Sequence, residues 1–318
     1  MKFGLSTVTS AFTSADAYMA VGAAAEKAGF DFLSVSDHLV VPGTYSSHYP
    51  YVPGGAFHVA QVGNCLDQLS TIGFLAGTTK TLKLLTSVLV VPHRPAMLTA
   101  KMLATLDVLS RGRLIIGAGA GWMKEEFELL GANFAERGRI TDEYLEAFIE
   151  LWTKDRPAYS GRHVKFSDTI FLPKPLQKPH PPLWIGGESP GAIRRAIKLG
   201  TAWYPGNNSQ TMPLDTVKRL ERGIGEVRAQ CAALRRDPSS LGIALLVQDH
   251  FEWIDAKTAD GSARRMFTGS SQDMAEDADN LTRIGVSHAA LRLGGKSIED
   301  TIDRIARFGA EVIARHKA

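Results

Sequence analysis

Short β-branched runs alternate with longer amphipathic runs along this 318-residue chain, and no other feature narrows its fold as much. A period of two gives way to a period near 3.6 and returns, again and again, which is the pattern of repeated βαβ units around a parallel sheet. The spacing predicts strands near Lys2–Thr7, Asp31–Ser36, Lys83–Val90, Arg113–Gly117, Pro182–Ile185, Thr201–Tyr204, Gly242–Gln248 and His288–Arg292. Helices are predicted near Ala15–Ala28, Asp67–Ala76, Ala96–Leu109, Arg139–Trp152, Pro190–Leu199, Leu214–Arg235, Asp273–Ile284 and Ile298–Arg315. Eight of each, with no Ser/Gly/Pro linker or shift of composition between two halves, favour an α/β (βα)8 barrel over a doubly wound sheet. The expectation is one domain over 1–318 with insertions near 37–66, 155–180 and 250–272, and a small hairpin before the fifth barrel strand. The loop at 37–64 is longer than most connections, and 252–271 is a lid candidate on the same face.

Charge and cysteine usage exclude several classes. Thirty-six Lys and Arg stand against 33 Asp and Glu, a net charge of +3, and no basic run supports a nucleic-acid or membrane partner. A small molecule is the expected ligand. Cys65 and Cys231 lie far apart, with no spacing suited to a thiolate metal site. The amino terminus turns polar too soon for a signal-peptide core, and Leu84–Val91 is far short of the roughly 20 residues that span a bilayer. The expected location is cytoplasmic.

Barrel chemistry is carried at the carboxyl ends of strands. After the second strand stand Ser36, Asp37 and His38, where an imidazole beside a carboxylate offers a group that titrates near neutral pH. A turn Asp with a solvated His beside it is the plainer reading. The exit of the third strand, Val91-Pro92-His93-Arg94-Pro95, is stiffened by prolines and makes Arg94 a possible anion contact. Gly117-Ala118-Gly119-Ala120-Gly121-Trp122 fails the GxGxxG pattern at Trp122, which rules out a Rossmann fingerprint. Together with Gly186-Gly187 before a predicted helix start, it still exposes N–H groups suited to a phosphorylated cofactor. His38, His48 and His58 share one loop at a spacing that matches no helix or strand face, so no metal site is expected. No GxSxG occurs.

Three blocks, SDHLVVP (36–42), TSVLVVPHRPAMLTAKMLATLDVLSRGRLIIGAGAGWMKEEFELLG (86–131) and KPHPPLWIGGESPGAIRRA (178–196), make the chain resemble the bacterial luciferase-like flavin and deazaflavin oxidoreductases. The Ser-Asp-His motif is closer to the F420-dependent branch. That resemblance implies His38 as the catalytic residue and Asp37 against the deazaflavin. It also implies a non-prolyl cis peptide at Ser87-Val88 backing the ring, with Val90 nearby, contacts from Ala120 and Gly121, and Gly186 and Gly187 near the phosphate. Trp122 occupies the place where some sugar-phosphate dehydrogenases of the branch carry a catalytic Glu. With Tyr45, Tyr49, Tyr51 and Trp203 it suggests a hydrophobic or aromatic substrate. The function implied is hydride transfer between F420 and a small organic molecule. The alternative is an FMN-using, FMNH2-dependent monooxygenase supplied by a separate flavin reductase. A flavin-binding protein without turnover and a divalent-metal barrel hydrolase are weaker readings. The resemblance further implies a homodimer formed through helices near the second and third strands.

Overall fold

The computed structural model describes residues 1–7, 13–57, 64–248 and 253–317. Its centre is a closed, all-parallel barrel of eight strands: β1 (Lys2–Thr7), β2 (Phe32–Val35), β3 (Lys83–Val90), β4 (Leu114–Gly119), β7 (Leu183–Gly186), β8 (Ala202–Tyr204), β9 (Gly242–Val247) and β10 (Val286–Leu291), with β10 returning to β1. Strands β5 (Tyr159–Ser160) and β6 (Lys165–Phe166) form the antiparallel hairpin expected before β7. The expected fold class and the hairpin are both present, and element ends differ from the spacing by a few residues, where local signals are weakest.

Local chemistry explains where the helices begin. Ser14, Asp67, Ser189, Thr216, Ser270 and Ser297 each cap a helix by accepting a backbone N–H of its first turn, which satisfies a donor that the helix itself cannot. One helix, Lys124–Leu129, is not foreseen by periodicity. Its six residues are too few to show a 3.6 repeat, and it follows directly on the glycine turn after β4. The final helix differs too: Ile298–Phe308 passes through a π turn at Gly309–Ile313 before Ala314–Lys317.

Two apolar layers follow from the alternation of side chains along each strand. The larger lies between barrel and helices and includes Phe3, Leu84, Leu103, Phe148, Trp203 and Phe308. The smaller fills the barrel, where Phe32, Leu85, Ile115 and Trp184 are matched by small Ala202, Ala244 and Ala290. Trp184 meets the rings of Phe32 at 5.7 Å and His288 at 4.8 Å. Burial pushes the His288 imidazole down to about 4. This plug fills the barrel interior, and a cavity lies over the carboxyl ends of the strands. Among the described residues no helix is long and apolar enough to cross a membrane.

Candidate functional site

The motif after β2 divides its two ionisable side chains between different tasks. Asp37 is buried, and both its oxygens are held by the protein: Oδ2 accepts from Val90 N at 2.9 Å and Arg94 Nη1 at 2.8 Å, and Oδ1 accepts from Arg94 Nη2 at 2.8 Å. Arg94 also donates to Asp67 Oδ2 at 2.9 Å. The end of β2 is thereby tied to the end of β3 and to the cap of the helix Gln68–Thr78. Arg94, read from sequence as a possible anion contact, already has two carboxylates.

His38 takes the other role. Its Nδ1 lies 2.8 Å from Oε2 of Glu126, on the short helix Lys124–Leu129. Glu126 Oε1 accepts from the backbone N–H of Leu39 at 2.8 Å and of Val40 at 3.3 Å. Burial works to raise the Glu126 carboxyl, but the hydrogen bond from His38, the neighbouring imidazoles of His38 and His93 and the Leu39 N–H outweigh it and hold it below the usual carboxylate range. Glu126 therefore keeps its charge, and His38 has one ring nitrogen, Nε2, left for the space in front of it.

That space is a cavity of about 510 Å³ over the carboxyl ends of the strands, the size of an ordinary small-molecule site. Its floor is β3. The Ser87-Val88 peptide is cis, as the resemblance implies, and the β3–β4 register shifts between Thr86 and Leu89. Ser87 Oγ meets Tyr204 Oη at 3.0 Å. Val88 occupies room that two glycines leave open: a Cβ at Gly119 would come within 2.7 Å of it, and one at Gly186 within 3.0 Å. Those glycines fit the bulge as well as any ligand. Gly121 has φ +83°, and a Cβ there would reach 2.6 Å from Phe127 and 2.7 Å from Val90. Only glycine suits that turn.

The catalytic and cofactor-contacting residues that the resemblance implies, His38, Asp37, Ser87, Val88, Val90, Ala120, Gly121, Gly186 and Gly187, all line this cavity. The end between β4 and β7 carries two arginines, of which Arg195 already donates from Nε to Asp142 Oδ1 at 2.5 Å and from Nη2 to Gly138 O at 2.9 Å. Arg137, donating from Nε to Gly121 O at 3.1 Å, and Arg195 line it beside Gly187 and the cap Ser189. Below the opening, Ser36 Oγ and both ring nitrogens of His93 are buried without a partner among the described residues. Buried polar atoms without partners are rare, and these face the same cavity. Glu188, on the β8 side, accepts from Gly206 N at 2.6 Å. Its carboxyl is raised by burial, against the hydrogen bonds from Gly206, Ser209 and Tyr51.

The aromatic residues split. Tyr49, Phe57 and Trp122 pack with ring centres 4.8 to 5.1 Å apart, and Tyr51 meets Tyr49 at 5.5 Å; all four line the cavity. Trp203 does not: it is fully buried in the outer core, with Nε1 donating to Gly187 O at 3.0 Å. Alternation gives the inward position to Tyr204 instead. Tyr45 lies behind the wall, its hydroxyl donating to Phe57 O at 2.5 Å. His48 lines the cavity, and His58 lies outside the described residues.

Glu126, His93, Arg137, Arg195 and Glu188 were not singled out by sequence. A carboxylate directly before an aromatic in the helix of Lys124–Leu129 was the only trace of Glu126.

A family model described as luciferase-like monooxygenase matches residues 1–290. An FMNH(2)-dependent dimethylsulfone monooxygenase from Pseudomonas putida is 33% identical over 162 residues, which span 50% of this chain and 42% of that protein. An uncharacterized protein from Mycobacterium bovis is 29% identical over 228 residues, covering 71% of this chain and 77% of its own. Among solved structures, monooxygenase RslO1 from Streptomyces bottropensis superposes with a TM-score of 0.76 at 18% identity over 100% of both chains. Coenzyme F420 dependent tetrahydromethanopterin reductase from Methanopyrus kandleri does so at 0.74 and 17%, over 98% of each. At such identities the structural likeness is one of fold, whereas the family model spans most of the chain, its barrel and its cavity. The chain belongs to the luciferase-like monooxygenase family.

Proposed function

We propose that this chain moves hydride between a deazaflavin of the F420 type and a small organic substrate, with His38 carrying the proton. The observation that supports it is the His38–Glu126 pair at the wall of the cavity, an imidazole whose Nδ1 is held 2.8 Å from a buried carboxylate. With its proton on Nδ1, His38 presents Nε2 as an acceptor, takes the proton of a substrate hydroxyl as hydride leaves the same carbon, and is stabilised as imidazolium by Glu126. In the opposite direction it returns that proton to the carbonyl oxygen.

The residues present fit such a cofactor. When bound, the deazaflavin supplies the carbon centre that takes or gives hydride. Val88 would back the ring, while Ser36 and His93 would offer it hydrogen bonds. Arg137, Arg195 and Ser189 suit a phosphate at the β4–β7 end. Trp122, Phe57 and Tyr49 exclude water from the remaining side.

FMNH2-dependent monooxygenation is the second reading, favoured by the name of the 33%-identical relative from Pseudomonas putida; it alone would require a separate flavin reductase. Titration of the protein with F420 and FMN, each oxidised and reduced, separates the two. Binding of F420 at least tenfold tighter than FMN, about 1.4 kcal/mol, is expected. Preference for reduced FMN overturns the hydride-transfer reading and directs the search to oxygen consumption.

We also read the chain as a homodimer. Phe74, Met97, Leu98, Val108 and Leu109 stand exposed on the helices Gln68–Thr78 and Ala96–Leu109, and sedimentation of the protein at twice the monomer mass is the expected result.

A further inference from the structure

The aromatic wall has a second side. Tyr49, Tyr51, Phe57, Ser209 and Gln248 line the cavity of His38 and also a neighbouring chamber of about 770 Å³. The far walls of that chamber are basic. Arg219, Arg222, Lys257, Arg265 and Arg292 line it, against the carboxylates of Asp215 and Asp260.

The two carboxylates are already engaged. Asp215 holds Arg219 at 2.8 Å and lies 4.0 Å from Arg265, and Asp260 takes the other arm of Arg219. Arg222 and Lys257 make no ion pair with any described residue. The two carboxylates serve Arg219 and Arg265, so the charges of Arg222 and Lys257 are left on the described lining, and a concave wall focuses that field on its contents. The chamber is also linked to the reacting side. Tyr49 donates its hydroxyl to Gln248 Oε1 at 3.2 Å, and Arg292, directly after β10, donates to Gln248 O at 3.2 Å. One barrel-end residue thus connects the basic wall to the aromatic one.

We propose that this chamber holds the anionic group of the substrate, a carboxylate, sulfonate or phosphate, while the substrate's apolar part lies against Tyr49 and Tyr51 and reaches the cavity of His38. The family of substrates is then organic anions with an apolar body, for which Arg222 and Lys257 select. The identity of the occupant as substrate rests on the hydride-transfer reading; the binding of an anion does not.

The test uses the full chain without cofactor, with phenyl phosphate as probe and benzyl alcohol as its uncharged counterpart, followed by calorimetry at low salt. Phenyl phosphate is expected to bind at least tenfold tighter than benzyl alcohol and to weaken as salt rises. The double variant Arg222→Gln, Lys257→Gln is expected to lose at least tenfold in phenyl phosphate affinity while binding F420 or FMN as the unmodified protein does. Equal affinity for the two probes overturns the proposal without any variant. Unchanged phenyl phosphate affinity in the double variant overturns it as well, because the anion then sits elsewhere, at the Arg137–Arg195 end. If phenyl phosphate behaves as expected but neither cofactor binds the unmodified protein, the hydride-transfer reading fails and the anion site stands.

Discussion

Replacing Asp37 by Asn removes one charge from a buried pair while leaving the shape of the side chain. In the native protein the carboxylate takes three hydrogen bonds, two from Arg94 at 2.8 Å each and one from Val90 N at 2.9 Å. The side-chain carboxylate is fully buried and the Arg94 side chain is 9% exposed. An Asn carbonyl can still accept from Val90 or from Nη1, but its NH2 then opposes Nη2 of Arg94, donor against donor. Breaking a buried ion pair by removing one partner costs about 3–5 kcal/mol. Here Arg94 keeps Asp67 as a counter-charge, which places the expected loss at the lower end, about 3 kcal/mol. Asp67 provides the internal control. It is 35% exposed and caps its helix through Oδ1 to Ser70 N, a role Asn fills equally well, so Asp67→Asn is expected to cost under about 1 kcal/mol. Urea unfolding of the cofactor-free proteins, followed by far-ultraviolet circular dichroism, measures both. If Asp37→Asn lies within about 1 kcal/mol of the unmodified protein, or costs no more than Asp67→Asn, the assignment of Asp37 as a buried strut is wrong.

Three further outcomes are expected. His38→Ala should lower turnover by about 10²–10⁴ and Glu126→Gln, which keeps an acceptor for Leu39 N, by about tenfold or more; on the His38→Ala background Glu126→Gln should have almost no effect, and additive losses would show that Glu126 does not act through His38. Stability should fall as the solution is acidified from pH 7 to 5, because His288 is held neutral in the folded barrel down to about 4 while the unfolded chain protonates it near its ordinary value of about 6.5; proton uptake by the unfolded chain therefore costs the native state about 2 kcal/mol over that interval, reaching its full size below pH 4, and a His288→Gln protein with the same acid sensitivity would contradict this. Gly119→Ala should destabilise by about 1–3 kcal/mol, because its Cβ would stand 2.7 Å from Val88, whereas Gly43→Ala, with nothing within 4 Å, should unfold with the unmodified protein in the same thermal scan.

The barrel was legible in the chain because it is written in short-range periodicity. Period two and period 3.6 set the faces of β1, β3 and the helices Ala96–Leu109 and Pro190–Leu199, and each cap needs only one Ser, Thr or Asp at a helix start. The positions of His38, Gly121 and Gly186 at strand ends followed from the same reading, since strand order places those ends on one face. The partners of these residues were not legible. Glu126 reaches His38 across 88 residues of sequence and Arg94 reaches Asp37 across 57, so no local pattern distinguishes the carboxylate that orients an imidazole from the one that ties two strands together. Nor does a run of aromatic residues reveal that Trp203 faces the outer core while Tyr204 faces the cavity: a single residue of register decides it, and register is set by the packed barrel. The basic chamber is the furthest from the sequence, because Arg222, Lys257 and Arg292 belong to three separate segments that only closure of the barrel brings around one space. Sequence alone determined which residues stand at the strand ends around one cavity; the tertiary structure decided what each side chain there faces, because charge and packing act through distances that the order of residues does not contain.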